Sequence, residues 1–302
     1  MNSPKMGQRH FRCGSMIGII ACLGGTASGR VSGPTNLEDK VSGEFRRIGS
    51  IAFLLATSML WVVPSLGADH LTSDQVRAAV AAASTGKTDL SGKNMSGVDL
   101  TGLDLSGANL TGANLAGANL YGVRLVGADL TGADLSEANL TFTWIMRANF
   151  TRARLHGATM QTIVTSVGMD NTQDQAAIFV GADLSDASII VHFSLDDMQG
   201  ANFSHAHMTA NMANQSMGLL RTEFMSTNLD GANFTGAELG HVSFRFAKLN
   251  GAHFNGADLS NADFIGAYLT DADFTNANIH GATFESATLT GTKGLDPSTI
   301  AK

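Results

Sequence analysis

Histidine and methionine gather in one stretch of this sequence, residues 192–217, HFSLDDMQGANFSHAHMTANMANQSM. Imidazole and thioether groups together suit copper. The candidate ligands are His192, His205, His207 and Met212. Their spacing matches no metal motif, and Met198 and Met208 fall at positions where methionine fills gaps in a core. The sequence therefore predicts no metal centre and no cofactor, and a metal-binding envelope protein is kept as an alternative.

The other side chains that could take part in catalysis are the 26 Asp and Glu residues. Most of the aspartates recur at one outward position of a short repeat, so no carboxylate pair stands out as a general acid and base. The sequence contains no G-x-S-x-G, no phosphate-binding loop and no H-E-x-x-H. Cys13 and Cys22 are the only thiols, and both lie near the N-terminus. These features predict a protein that is not an enzyme, with no catalytic residues.

The repeat has a period of five, as in GADLTGADLSEANL at residues 127–140. A first array keeps one phase from Leu90 to Met160 and stops at a break over 161–176. The pattern resumes at Phe179, is irregular near 190–218, and holds phase again to Leu289. There are about 37 copies in all. The predicted arrays are therefore residues 87–160 and 177–291.

A period of five fits neither an α-helix nor a strand. Each repeat has two apolar positions, one small and one large, separated by Asp or Asn and followed by a glycine suited to a corner. A chain that turns after every five residues closes a coil after about four faces, and stacked coils pair as parallel strands about 4.8 Å apart. The sequence predicts nine coils with a length on the order of 43 Å.

The final array alternates aromatic and aliphatic residues at its large apolar position. With 20 residues per coil, the phenylalanines should stack on two opposite faces, with Phe224, Phe244, Phe264 and Phe284 on one and Phe234, Phe254 and Phe274 on the other. Stacked rings suit offset aromatic contact. These residues are interpreted as core.

The A-(D/N)-L-x-G phrase resembles the pentapeptide-repeat family, and the resemblance covers nearly all of residues 90–289. It implies an all-β fold, a right-handed quadrilateral parallel β-helix, in agreement with the usual handedness of parallel crossovers. Some members of this family that protect DNA gyrase are acidic rods. An acidic DNA mimic acting on a topoisomerase is therefore a second alternative, although nucleic acid itself is not an expected partner.

The N-terminal region is basic, with seven Lys and Arg against three Asp and Glu in residues 1–68 and 12 against 23 in residues 69–302. Residues 1–47 form a basic region that an over-extended gene start would explain. Residues 48–68 combine an apolar run with a proline and small residues, which is typical of a secretory signal. The prediction is a periplasmic or secreted protein; an uncleaved membrane anchor over 48–68 is the alternative.

Both ends of the repeats should be covered, because solenoid ends expose apolar cross-sections. Residues 69–86 contain a helix candidate in which Thr72 and Gln75 have capping-box spacing. This helix should lie over the first coil. Residues 292–302 break the repeat at Gly294 and Pro297 and are predicted to form the second cap.

One outward surface departs from the repeat, at TFTWIMR, residues 141–147. Trp144 and Met146 flank an inward isoleucine and should point outward. The candidate partner-binding residues are Trp144, Met146, Val126, Phe142, Arg124 and Arg147. The alternative is that the break at 161–176 folds over this surface with Trp144 as its anchor. The sequence thus predicts an exported, non-enzymatic protein with a structural or protein-binding role and a protein as partner, and leaves the oligomeric state open.

Overall fold

The computed structural model describes residues 70–83, 87–165, 172–209 and 221–296. All described residues belong to one compact unit. The predicted signal at 48–68 and Met212 lie outside the described residues. Within them, no helix is both long and apolar enough to cross a membrane.

The described residues from 87 to 296 form a parallel β-helix. The outward residue of each repeat pairs in parallel with its counterpart four repeats later, as Asp89 does with Asn109 and Asn109 with Asp129. Most pairs are isolated bridges. The named strands are β1 (Thr159–Gln161), paired with β2 (Ser188–Ile190), and β3 (His192–Ser194), paired with β4 (Glu223–Met225).

Four columns of outward residues run along the β-helix, and we name them by their first members: A from Asp89, B from Asn94, C from Asp99 and D from Asp104. A coil is one passage from column A to column D. Complete coils begin at Asp89, Asn109, Asp129, Asn149, Ile178, Asp197, Asn228, Lys248 and Tyr268. The predicted number of nine coils therefore matches the pairing of the described residues.

The preference for Asp or Asn in each repeat comes from a local turn. The Asp99 carboxylate accepts hydrogen bonds from the backbone N–H of Thr101 at 3.0 Å and from its hydroxyl at 2.6 Å. These bonds hold the pKa of Asp99 below its usual value. Gly102 then takes φ +67°, a left-handed conformation that glycine adopts without strain. The recurring carboxylates thus stabilise corners of the fold.

The core follows the predicted aromatic pattern. Phe224, Phe244, Phe264 and Phe284 stack in column D, with ring centroids 4.9–5.2 Å apart. Phe234, Phe254 and Phe274 stack in column B at 4.8–5.0 Å. Rings of the two columns also meet edge to face, for example Phe234 and Phe244 at 5.5 Å. The two predicted ladders of phenylalanines are confirmed.

We call the series of parallel pairs along the four columns the ladder. Two insertions interrupt it, and both border column D. Paired residues are 20 apart in sequence in most coils, as Asp89 and Asn109 are. This separation grows to 29 residues between Asn149 and Ile178, and to 31 between Asp197 and Asn228. Between these insertions it shrinks to 19, at Ile178 and Asp197. The first insertion follows Val164 in column D, and the second lies between columns C and D.

The repeats extend past two of their predicted boundaries, the end of the first array and the end of the second. Val164 still pairs with Trp144, so the ladder continues into the segment predicted as a break over 161–176. Ile163 fills the inward position beside it, which keeps this segment in the repeat. At the other end, Lys293 pairs with Asp273, so the ladder also enters the predicted second cap.

An α-helix, α1 (Ser73–Ala82), precedes the first coil. Thr72 and Gln75 form the predicted capping box at its start. The Ser73 hydroxyl donates to the Asp99 carbonyl at 2.7 Å, and the Arg77 guanidinium donates to the Thr101 carbonyl at 3.3 Å. A short 3-10 helix, Gln173–Gln175, lies where the chain returns from the first insertion.

Candidate partner-binding surface

The surface around Trp144 is built on column D. Asp104, Arg124, Trp144 and Val164 lie one above the other in successive coils. The Arg124 guanidinium lies 4.8 Å from the centroid of the Trp144 ring, and its Nε is 3.6 Å from Oδ2 of Asp104. A cation over an indole face is an attractive arrangement. The Arg124 side chain therefore contacts both Asp104 and the Trp144 ring.

Two exposed aromatic rings border Trp144 at the corner between columns C and D. Tyr121 and Phe142 meet edge to face, with centroids 5.3 Å apart, and are 43% and 42% exposed. Phe142 was a sequence candidate and Tyr121 was not. The signal for Tyr121 was available, because it stands one coil below Thr141 at a corner position that usually holds Ser or Thr.

The prediction that Met146 points outward was wrong, because Met146 is only 4% exposed. The backbone N–H of Arg147 donates to the Gln175 carbonyl at 3.0 Å, so the returning chain lies against this corner. Val126, one coil below, is partly exposed. Arg147 is exposed and forms no ion pair with any described residue.

The segment after residue 160 does contact Trp144, but as part of the ladder. Val164 pairs with Trp144, and the Ile145 N–H donates to the Val164 carbonyl at 3.0 Å. Trp144 is therefore half-buried between Arg124 and Val164. Of the six candidate residues, the structure brings five to one exposed or partly exposed surface, which we call the Trp144 surface: Arg124, Val126, Phe142, Trp144 and Arg147, with Tyr121 added.

The structure places the histidines of the candidate metal group on different faces. His192 lies in column D, His207 in column C and His205 at the corner between columns B and C. Nδ1 of His192 is 3.7 Å from a carboxylate oxygen of Glu223, and Nδ1 of His207 is 3.1 Å from one of Glu238. The described residues contain no group of three or more His, Cys, Asp or Glu arranged to hold a metal ion.

A buried carboxyl group, Asp196, was missed by the sequence reasoning. It is 1% exposed and occupies the inward position that usually holds alanine. Its Oδ1 accepts the Ala177 N–H at 2.6 Å, whereas Oδ2 has no hydrogen-bond partner among the described residues. Burial raises the pKa of Asp196 to about 7. Ala177 is where the chain rejoins the ladder after the first insertion, so Asp196 fixes this return.

The pentapeptide-repeat family model, described as pentapeptide repeats, matches this chain in 8 copies at residues 86–117, 113–152, 227–264 and 252–291. The ladder shows that these copies form successive faces of one β-helix. The repeats at 86–152 and 227–291 are therefore pentapeptide repeats. No curated protein sequence matches it.

Several solved structures are similar to the chain. HetL, a pentapeptide repeat protein involved in heterocyst differentiation regulation from the cyanobacterium Nostoc sp. Strain PCC 7120, is 26% identical with a TM-score of 0.39, and the match covers 74% of this chain and 97% of HetL. A pentapeptide repeat protein from the Arabidopsis thaliana thylakoid lumen is 29% identical with a TM-score of 0.25, covering 52% and 68%. A trypsin-treated variant of QnrB1, a plasmid-mediated fluoroquinolone resistance protein, is 24% identical with a TM-score of 0.23, covering 67% and 92%.

Proposed function

We propose that this chain is an exported, non-enzymatic protein-binding module, built as a right-handed quadrilateral β-helix that α1 caps at its N-terminal end. The carboxylates of the repeats support the non-enzymatic part of the proposal, because they bond to corner N–H groups, as Asp99 does to Thr101. The core supports it as well, because Leu, Ala and Phe side chains fill the interior of the coils.

The Trp144 surface carries the protein-binding part of the proposal. Most column positions hold Asn, Asp, Ser or Thr, whereas Trp144 lies in column D on Arg124, and Tyr121 and Phe142 meet at the corner before it. Arg147 lies at the corner after column D. Aromatic residues and arginine are enriched at the energetically dominant positions of protein interfaces. A protein partner with an apolar patch flanked by carboxylates fits this surface.

Substitution of Trp144 tests whether the surface serves a partner or the fold. We expect Trp144→Ser to lower the free energy of unfolding by less than about 1 kcal/mol, the scale of a partly exposed cation–π contact. Binding to the native partner should be lost. Urea denaturation followed by circular dichroism measures the first effect, and co-purification from the native cell measures the second.

The adjacent Ile145→Ser is the matched control, because Ile145 is fully buried. It should cost several times more free energy than Trp144→Ser, since a core aliphatic side chain is lost and a hydroxyl is buried. If the two variants were equally unstable, Trp144 would be a structural residue and the partner surface would have to be placed elsewhere.

Export is tested by the N-terminus of the native protein. We expect the chain recovered from the periplasm or the medium to begin near Asp69, because Ala68 ends the small-residue stretch that follows the apolar run. Intact mass and N-terminal sequencing of fractionated cells measure this. A cytoplasmic chain that retains residues 48–68 would contradict export and make protection of DNA gyrase the next assay.

A further inference from the structure

Residues 172–176, which we call the strap, cross the corner between columns D and A. The backbone N–H of Arg147 donates to the Gln175 carbonyl at 3.0 Å, and the side-chain amide of Gln173 donates to the Leu195 carbonyl at 3.4 Å. The strap therefore bridges the third and fifth coils. None of its five residues is buried, so apolar packing contributes little to its attachment. Segments of this kind open more readily than a packed core.

The strap covers Met146. The same corner position holds Val126, Met225 and Ile265 in other coils. Val126 and Ile265 are partly exposed and Met225 is 41% exposed, whereas Met146 is 4% exposed. Met146 differs from these residues because the strap lies against its corner, bonded to the N–H of Arg147. Opening of the strap would add the flexible, apolar side chain of Met146 to the Trp144 surface.

Asp196 attaches the end of the strap to the ladder. At most small inward positions the backbone N–H donates to the carbonyl three residues earlier, as that of Ala148 does to Ile145 at 2.9 Å. Ala177 follows the first insertion, and its N–H donates instead to Oδ1 of Asp196 at 2.6 Å. Oδ2 of Asp196 is buried without a hydrogen-bond partner in the described part of the chain. The strap thus ends on a buried carboxyl group with one unpaired oxygen.

Burial governs the ionisation of Asp196, because no charged side chain among the described residues faces it. Ala177 and Thr227 stack with it at the inward position in the preceding and following coils, and both are uncharged. The charged residues of the adjoining strands occupy outward positions of columns D and A: His192, Glu223 and Asp197. Desolvation therefore raises the pKa of Asp196 to about 7, against the opposing effect of the Ala177 N–H.

The charge of Asp196 links opening of the strap to pH. Once the strap opens, water reaches the carboxyl group, and its pKa should approach the ordinary value of 3.8. Between 3.8 and 7 the closed form retains a proton that the open form releases. The equilibrium constant for opening therefore increases about tenfold for each pH unit in this range. Outside the range both forms carry the same charge, and the constant does not change with pH.

We propose that ionisation of Asp196 opens the strap and uncovers Met146, which enlarges the Trp144 surface for its partner. The ladder itself stays closed, because the next residue, Ile178, pairs with both Asn149 and Asp197. This regulation rests on the proposed function of the Trp144 surface. The opening of the strap does not depend on a partner and can be measured in the purified chain.

Thiol labelling measures the opening. In a full-length chain with Cys13→Ser and Cys22→Ser, Met146→Cys should react with N-ethylmaleimide only while the strap is open. Met225→Cys, at the same corner position and 41% exposed, is the control for the pH dependence of the thiol itself. We expect the ratio of the two rates to rise at least about tenfold from pH 5 to pH 8. In the Asp196→Asn background the ratio should stay at its pH 5 value.

Three results would overturn the opening of the strap. Two are a rate ratio that does not change with pH, and an equal rise in the Asp196→Asn background. The third concerns Met198→Cys, which is fully buried in the sixth coil and reports global unfolding. We expect it to stay unlabelled at both pH values. Labelling of Met198→Cys in step with Met146→Cys would mean that the whole fold opens and not the strap.

Co-purification from the native cell at pH 5 and pH 8 measures the effect on binding. The partner is the protein that the wild-type chain captures and Trp144→Ser does not. We expect the wild type to capture more of it at pH 8 than at pH 5, and Asp196→Asn to capture equally little at both. Equal capture by these two chains at pH 8 would contradict the regulation and leave the Trp144 surface intact. If no captured protein were lost with Trp144→Ser, the proposed function would fail, whereas the labelling ratio would still decide the opening.

Discussion

Phe244→Ala is expected to lower the free energy of unfolding by about 3–5 kcal/mol, the range for removal of a buried phenylalanine. The Phe244 side chain is fully buried. Its ring stacks on those of Phe224 and Phe264, at centroid distances of 5.2 and 4.9 Å. It also meets Phe234 and Phe254 edge to face, at 5.5 and 5.8 Å. The substitution removes four aromatic contacts at once and leaves a cavity between coils that cannot close without moving the ladder.

Urea denaturation followed by circular dichroism measures this effect, and Phe246→Ala is its matched control. Phe246 lies two residues further along the chain, has the same side chain and is 50% exposed. Its loss should cost less than about 1 kcal/mol, as for most surface substitutions. Similar losses for the two variants would mean that a ring in the stacked column contributes no more stability than an exposed ring, which would contradict a tightly packed aromatic core.

The contrast between Phe244 and Phe246 also shows why so much of this fold could be predicted from the sequence. A period of five fixes which residues are inward, and a coil of 20 residues fixes which of them stack. Both quantities can be counted in the sequence, without knowledge of contacts. The pairing of Phe224 with Phe244 and of Phe234 with Phe254 was therefore predictable before the structure.

The errors occurred where two segments meet across an insertion, because counting in steps of five stops there. Met146 was predicted to be exposed, but the chain that returns at Gln175 lies against its corner. The histidines were grouped because they are close in sequence, yet successive repeats face different directions. His192 and His207 therefore project from different columns.

Asp196 is a different kind of omission, because its signal was present in the sequence. Two residues before Met198, it occupies the inward position at which Ala148 and Ala177 stand in the coils before it. A carboxyl group at an inward position departs from the repeat and could have been noticed. What could not be predicted is its partner, the Ala177 N–H, because the first insertion decides which residue rejoins the ladder there.

The stability of the wild-type protein is expected to fall as pH rises from about 4 to 7 because of Asp196. The pKa of this carboxyl group is about 7 in the folded state, against its ordinary value of 3.8. Below 3.8 the group is protonated in both states, and above 7 it is ionised in both. Between these values the folded state retains a proton that the unfolded state releases, so the free energy of unfolding decreases as pH rises, by about 1.4 kcal/mol for each pKa unit.

Asp196→Asn should remove this dependence. The asparagine carbonyl can accept the Ala177 N–H as Oδ1 does, and the uncharged amide resembles the protonated acid in size and shape. We therefore expect the variant to match the wild type near pH 4 and to exceed its stability at pH 8. Asp197→Asn is the control, because Asp197 is the outward neighbour in column A. This variant should keep the fall in the free energy of unfolding between pH 4 and 7 that Asp196 causes.

Asp196→Ala separates the charge from the hydrogen bond. It removes the acceptor of the Ala177 N–H at every pH, so it should cost about 1–3 kcal/mol near pH 4, where the wild-type carboxyl group is neutral. Above pH 7 its disadvantage should shrink, because the wild type then carries an uncompensated buried charge. Denaturation curves at pH 4, 6 and 8 for the three chains distinguish these effects. If the wild type and Asp196→Asn had parallel pH profiles, Asp196 would be ionised in the folded state, and its burial would require a cation or water beside Oδ2.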